Sequence, residues 1–479
     1  MRSKVEYLNS LRDSREVYFE GKRVDDVTNH HYLKKVAEHL STEFEIGEDP
    51  AYRDLVTFES ADSKERYGRY FKIPRNTEDL LARNQLIDLG TRIADTVVLL
   101  IKEIGTDCLF ALNLISKVMD QQTGSSYYQR VKKFHEYCMH NDLAMAVAQT
   151  DVKGDRSLGP SDQEHPDYYL RVIDERSDGI VVRGAKAHTT YAPLCNEILV
   201  IPTRALSEKD KDYALAFATP ANSKGLKMIV SPFGGNSESE FQNPISANRH
   251  MTESLTVFDD VFVPWDRVFL HGESEYAGQL ALRFVDFHRF TAISYKAPLL
   301  DLIVGTAILV ADYNGISRAS HVRDKIARLI GYAETVKTLT RAAANSCDIV
   351  DGIAIPNTMI TNTAKFHFAE NYHTSLSYLQ DIAGGLVVTG PHEDDIKNPE
   401  TGKYIEKYLG GKKGTTALNR LKLMNLIRDL TASDFGGYYQ LLQIHAEGSL
   451  EAEKLMIYRS YDWKPSVEYS KKIAHINEL

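Results

Sequence analysis

Cysteine is scarce in this chain of 479 residues: its four, Cys108, Cys138, Cys195 and Cys347, lie far apart and form no CxxC or CxxxC pair. That spacing argues against a disulfide framework and against a cysteine-ligated metal site, and leaves each thiol as a small buried apolar group. No basic run accompanies the net charge of −9, which argues against nucleic acid and against an anionic membrane surface as partners. The GxGxxG fingerprint is missing as well, so a dinucleotide-binding strand-to-helix turn is not expected. Met1 to Leu11 carry charge without an apolar core of signal-peptide length, and no later run reaches the roughly 18 apolar residues of a spanning helix. The expectation is a cytoplasmic protein. Neither a short internal repeat nor a low-complexity linker interrupts the chain.

What is present fits a large enzyme. A hydrophobic content of 43% over this length can bury two or three packed domains. The periodicity changes twice. Segments such as Asp79 through Ile101 and Tyr127 through Ala148 carry apolar residues at helical spacing with almost no proline. From about 150 to 272 the chain shifts to short alternating runs, among them Glu197–Pro202, Tyr213–Ala218 and Leu255–Phe258, punctuated by Pro220, Gly225, Pro232, Gly234 and Gly235. Helical spacing returns from Asp286 in long segments, notably Pro298 to Tyr313, Ser320 to Val350 and Thr361 to Ile382. The reading is α+β: an N-terminal helical domain over 1–148, a middle β-barrel domain over 149–275, and a C-terminal helical bundle over 276–479.

Two polar loops stand at the ends of predicted strands. Thr150-Asp151-Val152-Lys153-Gly154-Asp155-Arg156-Ser157 precedes a hairpin whose turn is Ser177-Asp178-Gly179, and Arg183-Gly184-Ala185-Lys186-Ala187-His188-Thr189-Thr190 follows it. Lys153, Arg156, Ser157, Thr189 and Thr190 supply donors that an isoalloxazine carbonyl or a pyrophosphate needs, and Gly154 and Gly184 allow close backbone approach. Read alone, the same residues also fit ordinary turns with exposed charges.

These loops resemble those of the family containing 4-hydroxyphenylacetate 3-hydroxylase and 4-hydroxybutyryl-CoA dehydratase, and the likeness is closer to the dehydratase branch. Val257-Phe258-Asp259-Asp260-Val261-Phe262-Val263-Pro264, Ala311-Asp312-Tyr313-Asn314-Gly315, Ser320-His321-Val322-Arg323-Asp324-Lys325, Asp381-Ile382-Ala383-Gly384-Gly385-Leu386 and Asn398-Pro399-Glu400-Thr401-Gly402-Lys403-Tyr404 carry it along nearly the whole chain. The resemblance implies the acyl-CoA dehydrogenase architecture and bound FAD, with Lys153, Asp155, Arg156, Ser157, Thr189 and Thr190 at the cofactor. It also implies that Gly384 and Gly385 approach a flavin across a subunit boundary, giving a homodimer or a homotetramer.

Two constellations of that family are missing. Where the dehydratase branch ligates a four-iron cluster, this chain places Leu99, Glu103, His288 and Tyr295, so only the histidine remains. Glutamate and tyrosine are hard oxygen donors unsuited to a cluster that wants thiolates, and no metal is expected. A tyrosine of that branch is replaced by Ala292 and a late glutamate by Leu442. The Arg-x-Pro-Asp-Tyr pattern that holds a phenol in the hydroxylase branch reads Ile104-Gly105-Thr106-Asp107-Cys108.

The catalytic candidates are His288, Glu253, Tyr295 and Glu103. His288 is read as a general base or a donor to a substrate carbonyl, and Glu253 as either a base or a strand-edge surface residue. His288, Glu103 and Tyr295 are expected to form one hydrogen-bonded network. His445 and Glu447 read as solvated helical residues and weaker acid–base candidates.

The functional expectation is an FAD-dependent oxidoreductase without an iron–sulfur cluster, oxidising or oxygenating a small substrate of the acyl-CoA type, with an electron acceptor or a flavin reductase as partner. A redox-neutral 4-hydroxyacyl-CoA dehydratase or vinylacetyl-CoA isomerase remains open. So does a two-component, reduced-flavin monooxygenase acting on an aromatic substrate.

Overall fold

The computed structural model describes residues 1–60, 63–231 and 238–476; Pro232, Gly234 and Gly235 lie outside the described residues. The N-terminal part runs α1 (Lys4–Ser10), β1 (Glu16–Phe19), β2 (Lys22–Val24), α2 (Leu33–Glu48), α3 (Arg53–Val56), β3 (Thr57–Glu59), β4 (Arg66–Gly68), α4 (Thr77–Ile93), α5 (Glu103–Thr123) and α6 (Tyr127–His140). Asn76 caps α4 by accepting from the Asp79 amide, with Glu78 and Asp79 in the first turn where the helix dipole favours negative charge.

Helical spacing across 79–101 misleads at its far end. Asp95 and Thr96 turn into the left-handed region at φ 52° and 72°, and the Thr96 amide closes back on Thr91 O at 2.9 Å. That closure ends α4, and the apolar residues 97–101 run on as buried irregular chain, with Leu100 left-handed at φ 51°, whose Ile101 O accepts from the Met145 amide. The N-terminal part is also not purely helical, because some of its strands join the sheets that follow.

The middle of the chain folds as β5 (Met145–Ala148), β6 (Arg171–Arg176), β7 (Gly179–Lys186), β8 (Glu197–Val200), β9 (Leu215–Pro220), β10 (Leu226–Ser231), β11 (Glu253–Pro264) and β12 (Val268–His271). One sheet has the order β2-β1-β10-β11-β7-β6 and the other β12-β9-β8-β5. β1 pairs parallel with β10, and β5 parallel with β8, so the N-terminal part contributes to both sheets. Phe217 of β9 meets Phe258 of β11 edge to face at 5.9 Å, where the inner faces interdigitate.

α7 (Ser274–Tyr313), α8 (Ser320–Asn345) and α9 (Thr358–Ala383) form the frame of the C-terminal bundle. Pro298 lies inside α7 rather than at a helix start. α8 stops at Asn345, and Asp348–Val350 pairs with Ile353–Ile355 as a hairpin where helix was expected through Val350. α7 is buried from Asp286 to Leu300 on every side, since it threads between α5 and the rest of the bundle. Among the described residues it is the one helix long and apolar enough to cross a membrane; 67% of its most apolar window is buried inside the fold, as in a core helix. The four cysteines are free thiols, three of them buried.

Candidate active site

The two polar loops are tied together beneath their tips. The buried Lys186 ammonium meets Asp151 Oδ1 at 2.7 Å and donates to Gln149 O at 2.9 Å and Ile201 O at 3.2 Å, while Thr203 Oγ1 donates to Asp151 Oδ2 at 2.6 Å. Gly154 is required by space as well as conformation: a Cβ there would lie 2.3 Å from Gln163 Oε1 and 2.5 Å from the Tyr168 ring, at φ +50°. Asp155 is occupied locally, accepting from the Ser157 amide and hydroxyl at 2.9 and 2.7 Å, which lowers its pKa. Arg156 and Ser157 are exposed. Lys153 is half-buried with a left-handed backbone at φ 76°, and burial followed by the Arg156 charge lowers its ammonium pKa.

The second loop ends in adjacent threonines with different fates. Thr189 is fully buried, and its hydroxyl has no hydrogen-bond partner. Thr190 donates to Glu253, with Oε1 at 2.9 Å and Oε2 at 3.0 Å. Glu253 opens β11 opposite Ser231 of β10, inside the six-stranded sheet rather than at its edge. Burial pushes its carboxyl up to about 8, against the opposing hydrogen bonds from Thr190 and Tyr438. Glu253 is therefore mostly protonated at neutral pH.

His288 stacks on Phe284 with ring centroids 5.0 Å apart and planes 14° from parallel. Its Nδ1 sits 3.1 Å from Asp107 Oδ2, and Asp107 Oδ1 accepts from Arg83 Nη2 at 2.7 Å and Thr291 Oγ1 at 3.1 Å. Arg83 Nη2 also donates to Glu103 O and Thr106 Oγ1. Nε2 of His288 meets no hydrogen-bonding group of the described residues. Glu103 thus hydrogen-bonds to this assembly through its backbone, while its carboxyl, whose pKa burial raises, feels the Arg83 and Asp107 charges.

Tyr295 turns elsewhere. Its hydroxyl donates to Glu447 Oε1, and Lys296 Nζ lies 3.2 Å from both the Tyr295 hydroxyl and Glu447 Oε2. Lys365 adds contacts to Glu447 at 3.6 Å and Glu453 at 3.3 Å, and Arg289 Nε donates to Glu447 O at 3.0 Å. The expected network of His288, Glu103 and Tyr295 is therefore two separate assemblies. Glu447 is no solvated helical residue either: it lies beyond the helix Asp434–His445 with its side chain 2% exposed, whereas His445 is exposed. Gly384, at φ 79° and ψ −177°, ends α9, and both it and Gly385 are exposed with nothing within 4 Å of a built Cβ.

Residues 3–270 match the family described as 4-hydroxyphenylacetate 3-hydroxylase N terminal, and residues 277–475 the one described as 4-hydroxyphenylacetate 3-hydroxylase C terminal. The chain belongs to the 4-hydroxyphenylacetate 3-hydroxylase family. It is 32% identical to the 4-hydroxybutyryl-CoA dehydratase/vinylacetyl-CoA-Δ-isomerase of Clostridium aminobutyricum, over 98% of this chain and 99% of that protein. The solved oxygen-tolerant 4-hydroxybutyryl-CoA dehydratase of N. maritimus superposes with a TM-score of 0.93 at 30% identity, covering 100% of this chain and 96% of the other. The oxygenase component of 4-hydroxyphenylacetate 3-monooxygenase, solved with FAD and 4-hydroxyphenylacetate, superposes at 0.90 and 27% identity, covering 99% and 98%. A glutaryl-coenzyme A dehydrogenase matches at 0.50 and 13% identity over 95% of this chain and 93% of the other, which places the family fold in the acyl-CoA dehydrogenase class.

Asp107, Arg83, Thr291, Lys296, Lys365 and Tyr438 are partners of the candidate residues that sequence reasoning passed over. One signal was available: His288, Thr291 and Tyr295 recur at spacings of three and four on one helix, hence on one face. Their partners on other elements had no local signature.

Proposed function

We propose that this family member is an FAD-dependent oxidoreductase that works without an iron–sulfur cluster on a small acyl thioester. The observation that carries the reading is the half-buried Glu253, which accepts from Thr190 at the tip of the second polar loop and whose carboxyl burial pushes up to about 8. The residues present fit the cofactor: the buried Thr189 hydroxyl, without a partner among the described residues, and the cationic Lys153 are what an isoalloxazine edge and a pyrophosphate demand. FAD, when bound, supplies a two-electron acceptor.

In this reading His288 is the base. Its open Nε2 accepts a proton from a C–H acidified by the thioester carbonyl, and protonated Glu253 offers a hydrogen bond toward that carbonyl. Leu99, Glu103 and Tyr295 stand where thiolate ligation would be needed, and Tyr295 is committed to Glu447, so the donor set does not fit an iron–sulfur cluster. A second copy of the chain, bringing Gly384 and Gly385 to the cofactor, completes the proposed assembly.

The second reading, a reduced-flavin monooxygenase fed by a flavin reductase, is supported by the similarity to the solved oxygenase component. The stretch 104–108 tells against a phenol, because it reads Ile104-Gly105-Thr106-Asp107-Cys108 and supplies neither the arginine nor the tyrosine of the phenol-holding pattern. Anaerobic titration of FAD-loaded protein with saturated, hydroxylated and unsaturated acyl-CoA thioesters separates the readings. Bleaching of the flavin with an oxidised product supports the proposal. A product of unchanged mass, or of mass less water, with oxidised flavin supports isomerase or dehydratase chemistry. No response to any thioester, with turnover only on reduced FAD and oxygen, supports the monooxygenase.

A further inference from the structure

Asp107 is fully buried on α5 and joins it to two other helices, α4 through Arg83 and α7 through both Thr291 and His288. The division of labour between its oxygens is the informative part. Oδ1 takes both fixed donors, the guanidinium at 2.7 Å and the threonine hydroxyl at 3.1 Å. Oδ2 is left to His288 Nδ1 at 3.1 Å. A carboxylate can only accept, so Nδ1 must carry the hydrogen, and a neutral imidazole then has a bare lone pair on Nε2.

We propose that Asp107 is a positioning residue that holds His288 in the Nδ1–H tautomer, so that Nε2 is available to receive a proton. The proposal rests on the reading of His288 as the base and adds the means by which its proton-accepting atom is selected. Phe284 stacked against the ring fixes its plane, and Arg83 with Thr291 fixes the carboxylate, so neither partner is free to rotate away.

The same geometry makes one substitution diagnostic. In Asp107→Asn the amide oxygen takes the Oδ1 place, because Arg83 and Thr291 both demand an acceptor there. The amide NH2 then faces Nδ1 and forces it to accept, which moves the imidazole hydrogen to Nε2 and removes the base. The expected result is a fall in kcat of roughly 10²- to 10⁴-fold, the scale known for a histidine whose orienting carboxylate becomes an amide. KM and FAD affinity of the folded variant should stay near those of the unsubstituted protein, a split that a merely structural role does not produce, while Tm should fall because the buried Arg83 loses its ion-pair partner.

Solid-state ¹⁵N spectra of histidine-labelled holoenzyme, with the His288 signal assigned by its loss in His288→Gln, read the tautomer without any variant at Asp107. Nδ1–H in the unsubstituted protein and Nε2–H in Asp107→Asn are expected. Nε2–H in the unsubstituted protein overturns the proposal even if Asp107→Asn does not fold. A folded Asp107→Asn that keeps its kcat while His288→Ala is inactive overturns the positioning role alone. Full activity of His288→Ala overturns the base reading, and the proposal with it.

Discussion

Lys296 and Glu447 meet at 3.2 Å inside the C-terminal bundle, with side chains 0% and 2% exposed. Burial lowers the lysine pKa well below its ordinary range and raises that of the glutamate well above, so both are pushed toward their neutral forms. Tyr295 and Lys365 close the group, which places a proton-sharing cluster where the sequence suggested a solvated glutamate.

Removing one member should be costly. Glu447→Ala leaves the Tyr295 hydroxyl and the Lys296 amine buried without the carboxyl they meet, and we expect a loss of about 1–3 kcal/mol in urea unfolding. Replacing the pair together, Lys296→Met with Glu447→Leu, should recover most of that loss. A single substitution that leaves the unfolding midpoint in place would show that the cluster is already solvated.

Glu253 sets a pH dependence whose sign follows from its raised pKa. The folded chain keeps a proton up to about 8 that the unfolded chain releases near the ordinary 4.5. Relative to Glu253→Gln, stability should therefore decline as pH rises between those values and be level outside them. If protonated Glu253 is the donor to substrate, turnover falls through about pH 8, and that limb disappears in Glu253→Gln.

The glycine pair after α9 separates backbone strain from packing. Gly384 lies at φ 79° and ψ −177°, a region open essentially to glycine alone, whereas Gly385 is right-handed helical at φ −62° and ψ −20°. Both have open space for a Cβ. Gly384→Ala should cost about 1–3 kcal/mol in chemical denaturation, and Gly385→Ala should be close to neutral. Equal effects would mean that contacts with another chain, rather than conformation, dominate at both positions.

Lys153 tests the cofactor loop. Lys153→Met keeps the aliphatic stem but removes the charge, and we expect FAD affinity to fall roughly 10- to 100-fold, the worth of a charge-assisted hydrogen bond. Quenching of flavin fluorescence during titration measures it. Arg156→Met, in an exposed side chain, should weaken binding less.

Much of the fold was legible locally. The hairpin around Asp178, the strands near 197, 215 and 255 and the long helices after 320 and 358 follow from periodicity and punctuation, which are properties of neighbouring residues. The errors fall where tertiary packing overrides the pattern. Residues 97–101 are as apolar as a helix face, yet they follow two left-handed residues, hold a third at Leu100 and are buried as irregular chain. Val350 belongs to a hairpin that the periodicity of α8 masks.

By itself the sequence determined which side chains stand at the positions of interest: no thiolate at Leu99, Glu103 or Tyr295, and no arginine or tyrosine in the stretch 104–108. It also determined the donor content of the two polar loops, because loop composition is local. Only the tertiary structure decided who meets whom. Asp107 and His288 are 181 residues apart, Lys296 and Glu447 151, and Thr190 and Glu253 63. Helix and strand geometry relates positions a few residues apart and says nothing about such separations. The partners of His288 and Tyr295 were set by how α5, α7 and the loop after Asp434–His445 pack together, and a buried polar group takes whichever partner that packing brings within hydrogen-bond reach.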